Sequence, residues 1–336
     1  MHSNPADSSL PSAKTAPAPP PPQKPSTVAF IFRGPNGIRA GWRFSLFLIF
    51  ITGTGAVVQK ILKHIPYIVR HFPPAPATGP TVLKPGHEIF GEGMLVFSLL
   101  VAVIIMSWIE KRSFADYGLP LKQFLGKRFW EGILYGFAML SLLLLAIAAL
   151  HGFTLGSVDV SRDDALKYGV LYAIAFLLAG IFEEFSFRGY MQATLTSGIG
   201  FWPAAILLSL LFGAGHLSNT GEAIFGAAMA GTFGIVAAFS LARTGNLWFA
   251  IGMHAGWDWA ETYFYGTPDS GRLAMGRLFS ATFHGSNWLT GGSVGPEGSY
   301  LVLVVLALGA LGIHLLFPRP SAALNHSGDF DERSAR

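Results

Sequence analysis

The stretch Gly180-Ile181-Phe182-Glu183-Glu184-Phe185-Ser186-Phe187-Arg188-Gly189-Tyr190 decides how the rest of the chain is read. It ends an almost wholly apolar run, Tyr168 to Phe182, with two adjacent carboxylates and an arginine. Ionisable groups at membrane depth are costly to insert and mark functional sites, unless the helix stops at Glu183 and water solvates the charges. Glu184 and Arg188 are four residues apart, so a helix carries them on one face, where they can pair. Glu183 is rotated from Glu184 by about 100° and points elsewhere. The spacing implies a division of labour, one carboxylate held by arginine and the other available for chemistry.

Working outward, the composition supports a membrane setting. Of 336 residues, 51% are hydrophobic and only 12% charged, half the charged share of a soluble domain. Forty glycines without a collagen-like period suit closely packed transmembrane helices. The absence of cysteine excludes disulfides, thiolate metal sites and a cysteine nucleophile. The net charge of +4 sits mostly at the ends and in short loops, which reads as topology and not as a nucleic-acid surface.

In chain order, residues 1–27 form a Pro/Ala-rich tail that cannot bury a core. It lacks the apolar stretch of a cleavable signal peptide. Apolar segments follow at Trp42–Val58, Gly93–Ile109, Gly132–Leu150, Tyr168–Phe187, Pro203–His216, Glu222–Leu241, Leu247–Thr262 and Tyr300–Phe317. The second is preceded by a Pro-rich loop, Pro73 to Pro85, and a polar tail, 319–336, follows the last. The expected fold is all-α, a polytopic transmembrane bundle of about eight spanning helices. An even number places both termini on one side, together with the basic 111–128 loop, Arg243 and Arg319. By the positive-inside rule that face is cytoplasmic, with Lys60, Lys63 and Arg70 on the opposite side.

Two further polar groups interrupt the later segments. His216 ends the fifth, in Phe212-Gly213-Ala214-Gly215-His216. With the turn between the fourth and fifth helices at Ser197–Gly200, Glu184 and His216 both lie about 22–26 Å up an antiparallel hairpin. His254 and Asp258 share a face of the seventh segment, where the carboxylate can fix the imidazole's tautomer or share its ligand. Gly252 and Gly256 beside them form a small-xxx-small pair that admits a close neighbour. His254 is shallower than His216 by about 10 Å on the same arithmetic. Carboxylates and imidazoles converging among apolar helices suit the activation of water for attack on a carbonyl, since a desolvated carboxylate works as a general base near neutral pH. The imidazoles His216 and His254 could bind Zn²⁺ or another divalent metal with a carboxylate, leaving a position for water, or donate to an oxyanion with no metal.

Glu183-Glu184-x-x-x-Arg188, Phe212-x-x-x-His216 and His254-x-x-x-Asp258 resemble the three motifs of the CAAX-protease and bacteriocin-processing (Abi-type) family of intramembrane proteases. Arg112 to Leu119 resembles a segment found upstream in that family. The likeness spans roughly Tyr168 to Thr262. It divides the chain into N-terminal helices and loops (28–165), a catalytic core (166–262), and a loop with the last helix (263–318). It implies a membrane-embedded endopeptidase of the cell membrane in which Glu183 activates water, aided by His216. His254 and Asp258 then hold the oxyanion or a metal, while Glu184 and Arg188 orient the site. Asp258 departs from the Asn of the prenyl-protease branch, and an ionised aspartate cannot donate to an oxyanion. The implied partners are the lipid bilayer and a lipidated or membrane-inserted peptide, reached laterally or from the cytoplasmic side, with no nucleic acid.

Other signals carry less. Gly291-Gly292-Ser293-Val294-Gly295 fits G-x-S-x-G but lacks the strand–turn–helix setting of a nucleophile elbow. His87-Glu88 has no second histidine at zincin spacing. The rival reading is a non-enzymatic transporter, immunity protein or scaffold using the same buried groups as an ion or proton relay.

Overall fold

The computed structural model describes residues 31–34, 37–73, 82–217 and 224–318. The expected Pro/Ala-rich tail, most of the Pro73–Pro85 loop and the polar C-terminal tail lie outside the described residues. The chain divides into two units, Met1–Ile38 and Arg39–Arg336. In the first, β1 (Arg33–Gly34) pairs antiparallel with β2 (Gly37–Ile38).

The second unit begins with α1 (Ala40–Leu62), α2 (Pro66–His71), β3 (Val82–Leu83) and α3 (Pro85–Glu110). It continues through α4 (Lys127–Ala149), β4 (Phe153–Val158) and α5 (Arg162–Glu184). Ser161 caps α5, its hydroxyl accepting from the Asp164 amide at 3.2 Å. The helix does not stop at Glu184. A π-helical turn, Phe185–Met191, carries it into α6 (Gln192–Ile199), so 38 residues, Arg162–Ile199, form one apolar rod. The charges of the opening stretch therefore sit inside a helix, at the kind of π-turn that recurs at functional sites.

Gly200, at φ 84°, reverses the chain into α7 (Phe201–His216), and α8 (Ile224–Thr244) and α9 (Leu247–Asp258) follow. A second π-helical turn, Trp259–Phe264, extends α9, and β5 (Leu273–Ala274), β6 (Phe279–Phe283), α10 (Asn287–Thr290) and α11 (Leu301–Leu316) complete the described chain.

The described part of each of the eight expected segments falls on a helix, but among the described residues five helices are long and apolar enough to cross a membrane: Ala40–Leu62, Pro85–Glu110, Lys127–Ala149, Arg162–Ile199 and Ile224–Thr244. Phe201–His216 and Leu301–Leu316 are apolar but shorter, so the count of eight crossings does not follow from helix length. The fold is predominantly helical as expected, with short strand pairs that the all-α expectation did not include. β4 pairs antiparallel with β6, and β3 parallel with β5. β3 and β5, of two residues each, are too short for alternation to register in the sequence.

The bundle centres on the crossing of α4 with α9. A Cβ on Gly132 or Gly136 of α4 would lie 2.2 Å from the Phe249 carbonyl oxygen or 1.9 Å from that of Met253. Reciprocally, a Cβ on Gly252 or Gly256 would lie 2.1 Å from the Phe129 oxygen or 2.3 Å from that of Ile133. Two glycine pairs thus interlock backbone against backbone, fixing the helix that carries His254. Gly252→Ala is expected to lower stability by about 1–3 kcal/mol through overpacking. Gly53→Ala, where a Cβ meets nothing within 4 Å, should raise it by up to about 1 kcal/mol from helix propensity. Thermal unfolding in detergent checks the opposed signs, and a matched response at the two glycines would refute the interlock.

The loop after α3 closes one end of α9. Leu247 N–H donates to the Gly118 carbonyl at 2.8 Å, Trp248 Nε1–H donates to that of Pro120 at 3.0 Å, and Asn246 Nδ2–H donates to Gln123. The β3–β5 and β4–β6 pairings lie at the other end, beyond the second π-helical turn.

Candidate active site

On the long rod, Glu184 is 0% exposed and Arg188 2% exposed, and they form an ion pair with Arg188 Nη1 3.1 Å from Glu184 Oε1. The guanidinium lies over the Phe212 ring of α7, its Cζ 4.2 Å from the centroid. The same Glu184 oxygen is 2.9 Å from Nδ1 of His254. An ion-paired carboxylate accepts, so Nδ1 carries a proton and points Nε2 the other way.

Nε2 lies 3.3 Å from Asp258 Oδ2 and 3.5 Å from Glu183 Oε2. The shorter contact, to Asp258, is a hydrogen bond with its proton on the imidazole or on the carboxylate. Glu183, unlike Glu184, keeps 27% of its side chain exposed. Among the described residues none donates a hydrogen bond to its Oε2. Phe233 of α8 packs edge-on against the His254 ring, at 5.4 Å between centroids.

Glu183, His216, His254 and Asp258 line one cavity of about 210 Å³. His216 Nδ1 lies 2.9 Å from the Phe212 carbonyl, so that nitrogen donates and Nε2 is left with its lone pair. The structure thus links Glu183, Glu184, Arg188, His254 and Asp258 by direct contact and places His216 on the same cavity wall. The shallower depth expected for His254 does not keep it from that wall.

Sequence reading missed part of the lining. Glu88 and Glu92 of α3, and Asp269, Arg272 and Glu297 of the loops around β5 and α10, form a polar end of the cavity. Arg272 Nη1 is 3.5 Å from Glu88 Oε1, and Thr262 donates to Asp269 at 2.8 Å. Burial, then the charge of Asp258, raises the Asp269 carboxyl above its usual range. The signal available for Glu88 and Glu92 was their i,i+4 spacing at the head of an apolar run, a shared helix face. The loop residues, distant in sequence, carried none.

Among the described residues no three His, Asp or Glu side chains gather in a way that could hold a metal ion. Both His254 nitrogens face carboxylates, and among the described residues His216 bonds through Nδ1 alone. As placed, these donors do not fit the expected Zn²⁺ site.

Residues 165–260 match the family model for Type II CAAX prenyl endopeptidase Rce1-like proteins. That match lies in the CAAX-protease family that the three motifs resemble, and it covers every residue from Glu183 to Asp258. The Rce1-like family is one of proteases, and its match, with the long apolar helices, gives an integral membrane protein. No curated protein and no solved structure matches the chain.

Proposed function

We propose that the chain is an Rce1-like intramembrane endopeptidase that hydrolyses a peptide bond of a lipidated or membrane-inserted substrate. The observation carrying the proposal is the unequal fate of the two neighbouring glutamates. Glu184 is fully buried, its Oε1 held by both Arg188 and His254, whereas Glu183 lines the cavity beside His254 with 27% of its side chain exposed.

In the reaction, the Glu183 carboxylate takes a proton from water, aided by Nε2 of His216, and the hydroxide adds to the scissile carbonyl carbon. The proton that His254 Nε2 shares with Asp258 faces the oxyanion, so the donor is the imidazole–carboxylate pair and not an ionised Asp258 alone. Collapse of the tetrahedral intermediate breaks the C–N bond, and the proton from water passes to the leaving nitrogen. The apolar wall of Phe176, Met229 and Phe233 holds the substrate chain in a low-dielectric site.

Eight crossings with both termini cytoplasmic remain the proposed topology, the short α7, α9 and α11 completing it. In that orientation the polar end of the cavity faces away from the cytoplasm, so substrate enters laterally or from that opposite side, not from the cytoplasmic face.

The test is cleavage of a panel of prenylated and unprenylated membrane peptides by purified protein in detergent, with and without a chelator. Turnover that survives the chelator is expected. Turnover abolished by it and restored by one divalent ion would replace glutamate chemistry with metal chemistry. Folded protein that cleaves nothing but catalyses proton-coupled uptake in vesicles would overturn the reading in favour of a relay.

A further inference from the structure

The glycines of α8 are not equivalent. Gly213 of α7 and Gly231 of α8 sit where helix backbones meet: a Cβ on Gly213 would be 2.5 Å from the Ala227 oxygen, and one on Gly231 would be 3.0 Å from that of Ser209. These explain the close approach of α7 to α8. Gly234 meets something different. A Cβ there would lie 2.2 Å from Nη2 of Arg188 and 3.0 Å from Oγ of Ser209. The space it leaves is filled by the end of the arginine.

That arginine has little other room. Its Nη1 is held by Glu184 at 3.1 Å, its Cζ lies 4.2 Å over the Phe212 ring, and the residue is 2% exposed. Its buried Nη2 has no hydrogen-bond partner among the described residues, so no directed bond fixes that side of the guanidinium. It is shape that holds it. Beside Gly234, Phe233 packs against the His254 ring, so one turn of α8 bears on both ends of the Arg188–Glu184–His254 chain.

We propose that Gly234 is a positioning residue: its missing side chain is the slot that keeps Arg188 on Glu184, and thereby Glu184 on His254 Nδ1. A methyl group there meets the flexible tip of a side chain, so the arginine should yield and not the backbone. The inference rests on the peptidase reading, because its consequence is the alignment of His254.

The experiment is a double-mutant cycle of Gly234→Ala with Arg188→Lys, read by turnover of the peptide that wild type cleaves best and by thermal unfolding. Lysine keeps a cation four residues from Glu184 but has no Nη2. Gly234→Ala is expected to stay folded and to lose on the order of 100-fold in kcat at little change in KM, the scale of a small misplacement at a reacting centre. In the Arg188→Lys background the added methyl should cost less than about twofold, since the atom it displaces is gone.

Unchanged turnover in Gly234→Ala, or an equal loss in both backgrounds, would overturn the inference. If Gly234→Ala does not fold, folding of the double variant supports it and failure of both overturns it. Wild type without turnover would sink the peptidase reading and leave the unfolding midpoints to decide the contact. A drop on adding the methyl with arginine at position 188 alone supports it, and a drop in both backgrounds or neither overturns it.

Discussion

Glu183→Gln is expected to reduce peptide hydrolysis by about three orders of magnitude while leaving the protein folded and able to bind substrate. The size follows from removing a general base, worth roughly 10²- to 10⁴-fold. The selectivity follows from where Glu183 sits. With 27% of its side chain exposed and, among the described residues, no hydrogen-bond donor on Oε2, its carboxylate has only the 3.5 Å contact with His254 Nε2 and no arginine or lysine that the amide would strand. Glutamine has the same shape and can still approach His254, so packing against Phe233 and the cavity volume survive. The loss should therefore appear in kcat with KM unchanged, the pattern of an interaction made only in the transition state. Full-length protein with more than about a tenth of wild-type kcat would assign the base elsewhere, with His216 Nε2 the next group on the same wall.

How much of this was legible in the sequence depends on distance along the chain. The pairing of Glu184 with Arg188 and the shared face of His254 and Asp258 are properties of a single helix, and i,i+4 spacing reports them directly. The glycine interlock was half visible: Gly252 and Gly256 announced a close neighbour, but which helix it was could not be read until α4 supplied Gly132 and Gly136. The π-turn at Phe185–Met191 left no trace in the sequence, and neither did the contacts of Glu184 and Arg188 with His254 and Phe212 on other helices. The polar end of the cavity was invisible for the same reason, since Glu88 meets Arg272 only after β3 pairs with β5. The number of crossings was less legible than the helices themselves, because apolar character extends through short helices as readily as long ones.

Glu184→Gln should act on stability as well as on turnover, and this separates it from its neighbour. Glu184 is 0% exposed and its Oε1 alone serves both Arg188 and His254. Neutralising it leaves Arg188 buried at 2% exposure without a counter-charge, and breaking one side of a buried pair costs about 3–5 kcal/mol. The unfolding midpoint in detergent should fall sharply, and turnover should fall with it because a glutamine can present its NH₂ to Nδ1 and turn the ring. Replacing both members, Glu184→Gln with Arg188→Met, removes the stranded charge, and exchange of a whole buried pair for neutral groups is often near neutral in stability. The double variant is therefore expected to regain most of the lost stability and none of the activity. That outcome would show that the ion pair is retained for the direction it gives His254. Recovery of turnover along with stability would instead make Glu184 a structural residue, and His254 would have to be oriented by Asp258 alone.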